Sequence, residues 1–249
     1  MAKNTKSLGI IPARFASTRF PGKPLVDILG KTMIRRVFEQ ASQAGISRVV
    51  VATDDERIFN HVKNFSGEVV MTSPDHLSGT DRCAEIANLP RYADFEIIVN
   101  IQGDEPFIRP GQIDQVVEFL VQNETFSIAT LARQISNQDE LFNPNVVKVV
   151  FDNNQQALYF SRAAIPFLRN IPQETWLREG EFYKHIGLYA FRRQVLVEIA
   201  ALPVGVLEKN ESLEQLRWLE NGYKIGIALT DFESFGIDTP DDLLHAFSV

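Results

Sequence analysis

A single cysteine, Cys83, stands in a chain of 249 residues. No intramolecular disulfide can form, and no thiolate cage for a metal can be built. No apolar run is long enough to cross a bilayer. The stretch within MAKNTKSLGIIPARF is short and stopped by Pro12 and Arg14, so it fits neither a secretory leader nor a membrane span. Positive charge is scarce: 25 Lys and Arg against 32 Asp and Glu leave a net charge of −7, which gives non-specific nucleic-acid or anionic-membrane binding no electrostatic support. Two phosphate-binding fingerprints are also missing. Gly30-Lys31-Thr32 imitates the end of a Walker loop, but Leu25 stands where its first glycine belongs. No GxGxxG opens the first helix, so a nicotinamide or flavin dinucleotide lacks its usual seat. Internal repeats and low-complexity segments are absent too. A cytoplasmic protein is expected.

What is present is ordinary globular material, 45% hydrophobic and 23% charged, enough for a substantial core. Strand-like and helix-like runs alternate along the chain, which predicts a single α/β domain over residues 1–249. Leu8 to Ile11 and RVVVA from Arg48 to Ala52 read as buried strands, the second continuous as in a parallel sheet. Helices are predicted over Met33 to Ala44, Asp55 to Phe65 and Thr80 to Leu89, with strands at Glu68 to Met71 and Ile97 to Ile101. Pro110 opens a further amphipathic helix. From Ser127 the pattern turns β-rich (SIATLAR, VVKVVFD, ALYFSR), then a polar stretch from Asn170 to Gly180 reads as irregular. IGLYAF and Ile225 to Leu229 are predicted strands. Helices are predicted over Arg193 to Ala201, over Glu211 to Asn221 with Asn210 as a possible N-cap, and over Pro240 to Ala246 with Thr239 as cap.

The polar motifs sit just after the apolar runs, where open α/β sheets bind ligands. Pro12-Ala13-Arg14-Phe15-Ala16-Ser17-Thr18-Arg19-Phe20-Pro21-Gly22-Lys23-Pro24 follows the first strand and gathers Arg14, Arg19 and Lys23 with two hydroxyls and a glycine. A triphosphate needs such a set, although three cations alone would equally suit a solvated loop. His76-Leu77-Ser78-Gly79-Thr80-Asp81-Arg82 reads as a capped helix start, with Ser78 or Thr80 as the cap. In Asn100-Ile101-Gln102-Gly103-Asp104-Glu105-Pro106 a carboxylate follows a buried strand and a glycine, an arrangement suited to holding magnesium against phosphate oxygens or to a simple Asx turn. Arg162 ends an apolar strand with the side chain best shaped to fork onto a carboxylate. His185 and Tyr189 share a strand face by period two.

The strings ARFASTRFPGKPL, TSPDHLSGTDRCAE, NIQGDEP, YFSR, KHIGLYAFR and LEQLR, in this order over nearly the whole chain, resemble the sugar nucleotidyltransferases. Among these the chain most resembles the 3-deoxy-manno-octulosonate (Kdo) cytidylyltransferases; Phe20 departs from the leucine expected there. The resemblance implies a Rossmann-like domain with a mostly parallel mixed sheet flanked by helices and a β-rich C-terminal subregion. It implies a Mg2+-dependent homodimer that joins CTP to Kdo, giving CMP-Kdo and pyrophosphate for lipopolysaccharide synthesis. Arg14, Ser17 and Lys23 would then contact the CTP phosphates with Arg19 as a helper, and Ala13 would bind the nucleotide. Thr53, Asp54, Ser78, Arg82 and Gln102 would flank the nucleotide. Asp104 and Asp238, the latter in Gly236-Ile237-Asp238-Thr239-Pro240, would hold the metal, with Lys23 in the catalytic set. Gln102, Arg162, His185, Tyr189, Glu214 and Gln215 would contact the sugar. A cytidylyltransferase for an acylneuraminate or an amino-substituted octulosonate, and a non-catalytic nucleotide sensor on the same fold, are the competing readings. A dehydrogenase would need the missing dinucleotide fingerprint.

Overall fold

Strand β1 (Ser7–Ala13) is buried along nearly its whole length, as a continuous apolar run demands of a strand covered on both faces. The structure, a computed structural model, describes residues 5–16, 20–233, 236–237, 239 and 242–243. After a 3-10 turn at Lys23–Leu25, a small antiparallel pair forms from β2 (Asp27–Ile28) and β3 (Lys31–Thr32). Helix α1 (Met33–Ala41), β4 (Arg48–Thr53), α2 (Glu56–Asn64), β5 (Val69–Met71), α3 (Gly79–Ala87), β6 (Ile97–Asn100) and α4 (Pro110–Gln122) follow as repeated βα units. The second half runs β7 (Ile128–Gln134), α5 (Gln138–Phe142), β8 (Lys148–Phe151), β9 (Ala157–Ser161), α6 (Trp176–Glu179), β10 (Tyr183–Arg192), α7 (Arg193–Ala200), α8 (Val206–Glu211), α9 (Glu214–Glu220) and β11 (Ile225–Leu229).

The main sheet has the order β11-β7-β10-β6-β1-β4-β5, with the β8–β9 hairpin joined through β8 to β10. Pairings β6–β1, β1–β4, β4–β5 and β11–β7 are parallel, whereas β10 runs antiparallel to both of its neighbours in that order. The mixed, mostly parallel sheet and the β-rich second half are thus as expected. One face is packed by α1, α2 and α4 through Ile34, Val37, Ile58, Val62, Ile113 and Val116. The other is packed by α3, α7 and α9 through Cys83, Ile86, Leu196, Ile199, Leu216 and Trp218. Each such fully buried aliphatic side chain contributes about 1.5–3 kcal/mol.

Two predicted segments differ. The expected helix from Glu211 is two helices, broken at Ser212, whose φ of 51° is left-handed. Asn210 lies inside α8 and is no cap. The cause is tertiary: the Glu211 carboxylate accepts from Ser161 Oγ at 2.7 Å and from the Arg162 amide at 3.0 Å, which pulls the chain out of helical register. The stretch from Asn170 to Gly180 carries a helical turn rather than open loop, because Trp176 buries its ring and stacks on Phe182 at 5.8 Å. Of the last predicted helix, the described part shows Thr239 and Asp242 bonded reciprocally, Asp242 N to Thr239 Oγ1 at 3.3 Å and Thr239 N to Asp242 Oδ2 at 2.8 Å, as a cap at Thr239 requires.

Candidate active site

The carboxyl ends of β1, β4 and β6 lie side by side, because Ala13 is level with Thr53 and Ile10 with Asn100. Over them opens a cavity of about 310 Å³. Its lining comes from three loops: Pro12 to Arg14 with Lys23 and Pro24, then His76 to Gly79 with Arg82, and Gln102 to Asp104. Gly22, at φ 72°, takes the left-handed turn that brings Lys23 back over the strand. Gly103 allows a close approach: a Cβ there would stand 2.8 Å from the Pro12 carbonyl oxygen, so only glycine lets the Asp104 loop lie on β1. Lys23 Nζ meets Asp104 Oδ2 at 2.8 Å, joining the basic loop to the carboxylate. The Ile237 amide donates to the Asp104 carbonyl at 2.9 Å, which ties the Gly236-Ile237 segment to the same corner. Ser17, Arg19 and Asp238 lie outside the described residues.

Ser78, rather than Thr80, caps α3: its side chain accepts from the Asp81 amide while the Asp81 carboxylate accepts from the Ser78 amide. Arg82 reaches the cavity, but its guanidinium is bound to Asp54 at 2.8 Å, to Thr72 Oγ1 and to the Ser73 carbonyl. Thr53 is buried at the end of β4 and Asp54 follows it; neither lines the cavity, and both act on it through Arg82 and the strand end. His76, Leu77 and Pro24 line it without having been singled out in the sequence; His76 pairs with Glu85, a contact between residues nine apart that no local pattern announces.

The expected sugar residues form a second group beside the cavity. Antiparallel β10 continues past the carboxyl end of β6, since Tyr189 is level with Asn100 and residues 183–188 lie beyond it. A bulge of Gly187 and Leu188 interrupts its pairing with β7, yet keeps His185 and Tyr189 on one face, their rings 5.3 Å apart. Gln102 connects the two groups, lining the cavity and donating to the Gly187 carbonyl at 3.2 Å. His185 bonds Thr130 Oγ1 at 2.9 Å and packs against Phe160. Burial lowers its pKa to about 3, so the ring is neutral. The Tyr189 hydroxyl is buried, has no hydrogen-bond partner, and is pushed well above its ordinary pKa by burial and by Glu214. Glu214 accepts from Thr80 Oγ1 at 2.6 Å and from Arg217 Nη2 at 2.7 Å; burial raises its pKa against the opposing pull of these two partners. Gln215 is buried on α9 beside it. Arg162 stands further off, held by the carbonyls of Glu211, Pro144 and Ser212 at 2.6, 2.9 and 3.4 Å. Those carbonyls fix the orientation of the fork.

Cys83 is buried inside α3 with a raised pKa, which suits packing and not nucleophilic attack. Comparison with known proteins fits this geometry. A family model described as cytidylyltransferase matches residues 8–225. The chain belongs to the cytidylyltransferase family. A curated cytidylyltransferase of Bacteroides thetaiotaomicron, named 3-deoxy-manno-octulosonate cytidylyltransferase, is 58% identical over 97% of this chain and 96% of its own length. One of the same name from Parabacteroides distasonis is 55% identical over 98% and 97%. A solved structure of CMP:2-keto-3-deoxy-manno-octonic acid synthetase complexed with CTP superposes with a TM-score of 0.88 at 40% identity, covering 98% of this chain and all of that one. Among the described residues no helix is long and apolar enough to cross a membrane.

Proposed function

We propose that this cytidylyltransferase couples CTP to 3-deoxy-manno-octulosonate, releasing pyrophosphate and giving the CMP-sugar. The observation that carries this reading is the cavity in which Arg14, Lys23 and Asp104 converge, joined through Gln102 to a polar group suited to an acid sugar. The anomeric hydroxyl oxygen of the sugar forms a bond to the α-phosphorus of CTP. The bond from that phosphorus to the bridging oxygen breaks, pyrophosphate leaves, and the hydroxyl proton is lost. Arg14 and Lys23 hold phosphate oxygens and stabilise the leaving group. Gln102 and the strand end of β10 orient the sugar over the nucleotide, and the Arg162 guanidinium attracts its carboxylate.

A hard cation fits the donor set. Asp104 offers a partly exposed carboxylate at the cavity, and magnesium commonly needs only one or two carboxylates besides phosphates and waters. Asp104, with Asp238 beside the Ile237 that bonds it, would hold Mg2+. When bound, the ion would neutralise phosphate charge and so ease the approach of an anionic sugar. The protein works in the cytoplasm as a homodimer on this reading, with a mass of twice 28.1 kDa expected by light scattering.

Pyrophosphate release with magnesium, CTP and Kdo tests the reaction. Release that needs both substrates and is lost in Asp104→Ala is expected. CTP binding without release for any acid sugar would instead establish a nucleotide sensor. Release with another acid sugar in place of Kdo would change the substrate and keep the reaction.

A further inference from the structure

Among the described residues, two buried polar atoms near the cavity have no hydrogen-bond partner, and they lie next to each other in the sheet. Asn100, at the end of β6, is 3% exposed and its Oδ1 makes no hydrogen bond. Tyr189, 7% exposed, leaves its hydroxyl equally unsatisfied. The two residues face each other directly across the β6–β10 ladder, so their side chains share one face of the sheet. That face lies under the start of α3: a Cβ on Gly79, which lines the cavity, would come within 3.9 Å of Asn100 Nδ2. Glu214, which raises the Tyr189 pKa, is bonded to Thr80 one residue further on. Native proteins rarely leave a buried acceptor unsatisfied, because each costs about 1–3 kcal/mol, and two at one corner mark a place completed by something else. The groups that suit nucleotide phosphate, Arg14 and Lys23, come from the loop after β1. Around Asn100 stand Tyr189 and, at the start of α3, Thr80 with Glu214, groups that suit hydroxyls.

We infer that Asn100 is a further substrate contact, its side-chain oxygen accepting a hydrogen bond from a hydroxyl of the bound acid sugar alongside Tyr189. The inference rests on the acid-sugar reading above and extends it to a residue buried beneath the floor of the site. Asn100→Leu tests it, because an apolar side chain of similar size removes the orphan acceptor without leaving a hole, so the fold is expected to keep or gain stability. Steady-state kinetics should show the KM for the sugar rising roughly tenfold or more while the KM for CTP stays within about twofold. Calorimetric titration of CTP into the variant should match the wild type. Asn100→Ser, smaller and able to recruit a water, should give a lesser rise in the same constant.

An unchanged sugar KM in a folded Asn100→Leu protein would overturn the assignment. A rise in the CTP KM instead would assign Asn100 to the nucleotide and overturn it as well. Wild-type protein that releases no pyrophosphate with CTP and any acid sugar would sink the functional reading itself, a result separate from either variant outcome.

Discussion

His185 is neutral because the rings of Phe160 and Tyr189 keep water from it, and that has a consequence for stability. Its pKa falls from 6.5 to about 3 on folding. Between those values the unfolded chain takes up a proton that the folded chain refuses, so stability declines as pH drops below about 6.5 and ceases to decline on this account near 3. The residue as a whole is half-buried, so from pH 7.5 to pH 5 the loss from it should be on the order of 1 kcal/mol by urea unfolding. His185→Gln should remove that part of the pH dependence. Lys148 is a second case. Its buried ammonium donates to the carbonyls of Asn143, Val146 and Arg162 at 2.9, 2.6 and 2.6 Å, knitting the β8–β9 hairpin to Arg162. Lys148→Met should cost about 2–4 kcal/mol of stability and weaken sugar binding more than CTP binding. Little of this was visible in sequence. His185 and Arg162 stood out through the motifs around them, whereas Lys148 looked like any strand lysine, because its three partners are backbone carbonyls that every residue possesses.

Among the elements, the βα units were legible where apolar runs and caps agreed. Pro110 marked the start of α4, and the choice left open between Ser78 and Thr80 as cap of α3 fell to Ser78. The α8–α9 break was not legible, since the run from Glu211 has helical residues throughout and is interrupted only by bonds to Ser161 and Arg162 fifty positions away in the chain. Ser212 sits there at a positive φ that glycine would adopt without strain. Ser212→Gly should therefore stabilise the protein by about 0.5–1 kcal/mol and raise the Tm by roughly 2 °C in calorimetry. Gly103 makes the opposite demand. Gly103→Ala sets a methyl against the Pro12 carbonyl and must displace the loop that carries Asp104. A drop in kcat of about a hundredfold with CTP binding retained is expected from rapid-quench kinetics.

For the whole molecule, the class of fold followed from alternation of strand and helix, but strand order did not. Periodicity shows that a strand is buried, not which strand lies beside it. The antiparallel insertion of β10 between β7 and β6 is what brings His185, Gly187 and Tyr189 to the cavity formed by β1, β4 and β6. Motif order along the chain suggested that these segments belong together, while Asn100 and Thr80 became visible only once the sheet had set them against Tyr189 and Glu214. The net charge of −7 gives the molecule no general attraction for two anionic substrates, so attraction has to be local.

The bond between Lys23 and Asp104 has a bearing on how such substrates enter. A polyphosphate that engages Lys23 alone takes from Asp104 its countercharge, and a cation that engages Asp104 alone takes from Lys23 that carboxylate. A joint arrival would give each of the two ions a new partner for the one it yields. On the proposed reading the two guests would be reciprocal, each tightening the other's hold by an equal factor.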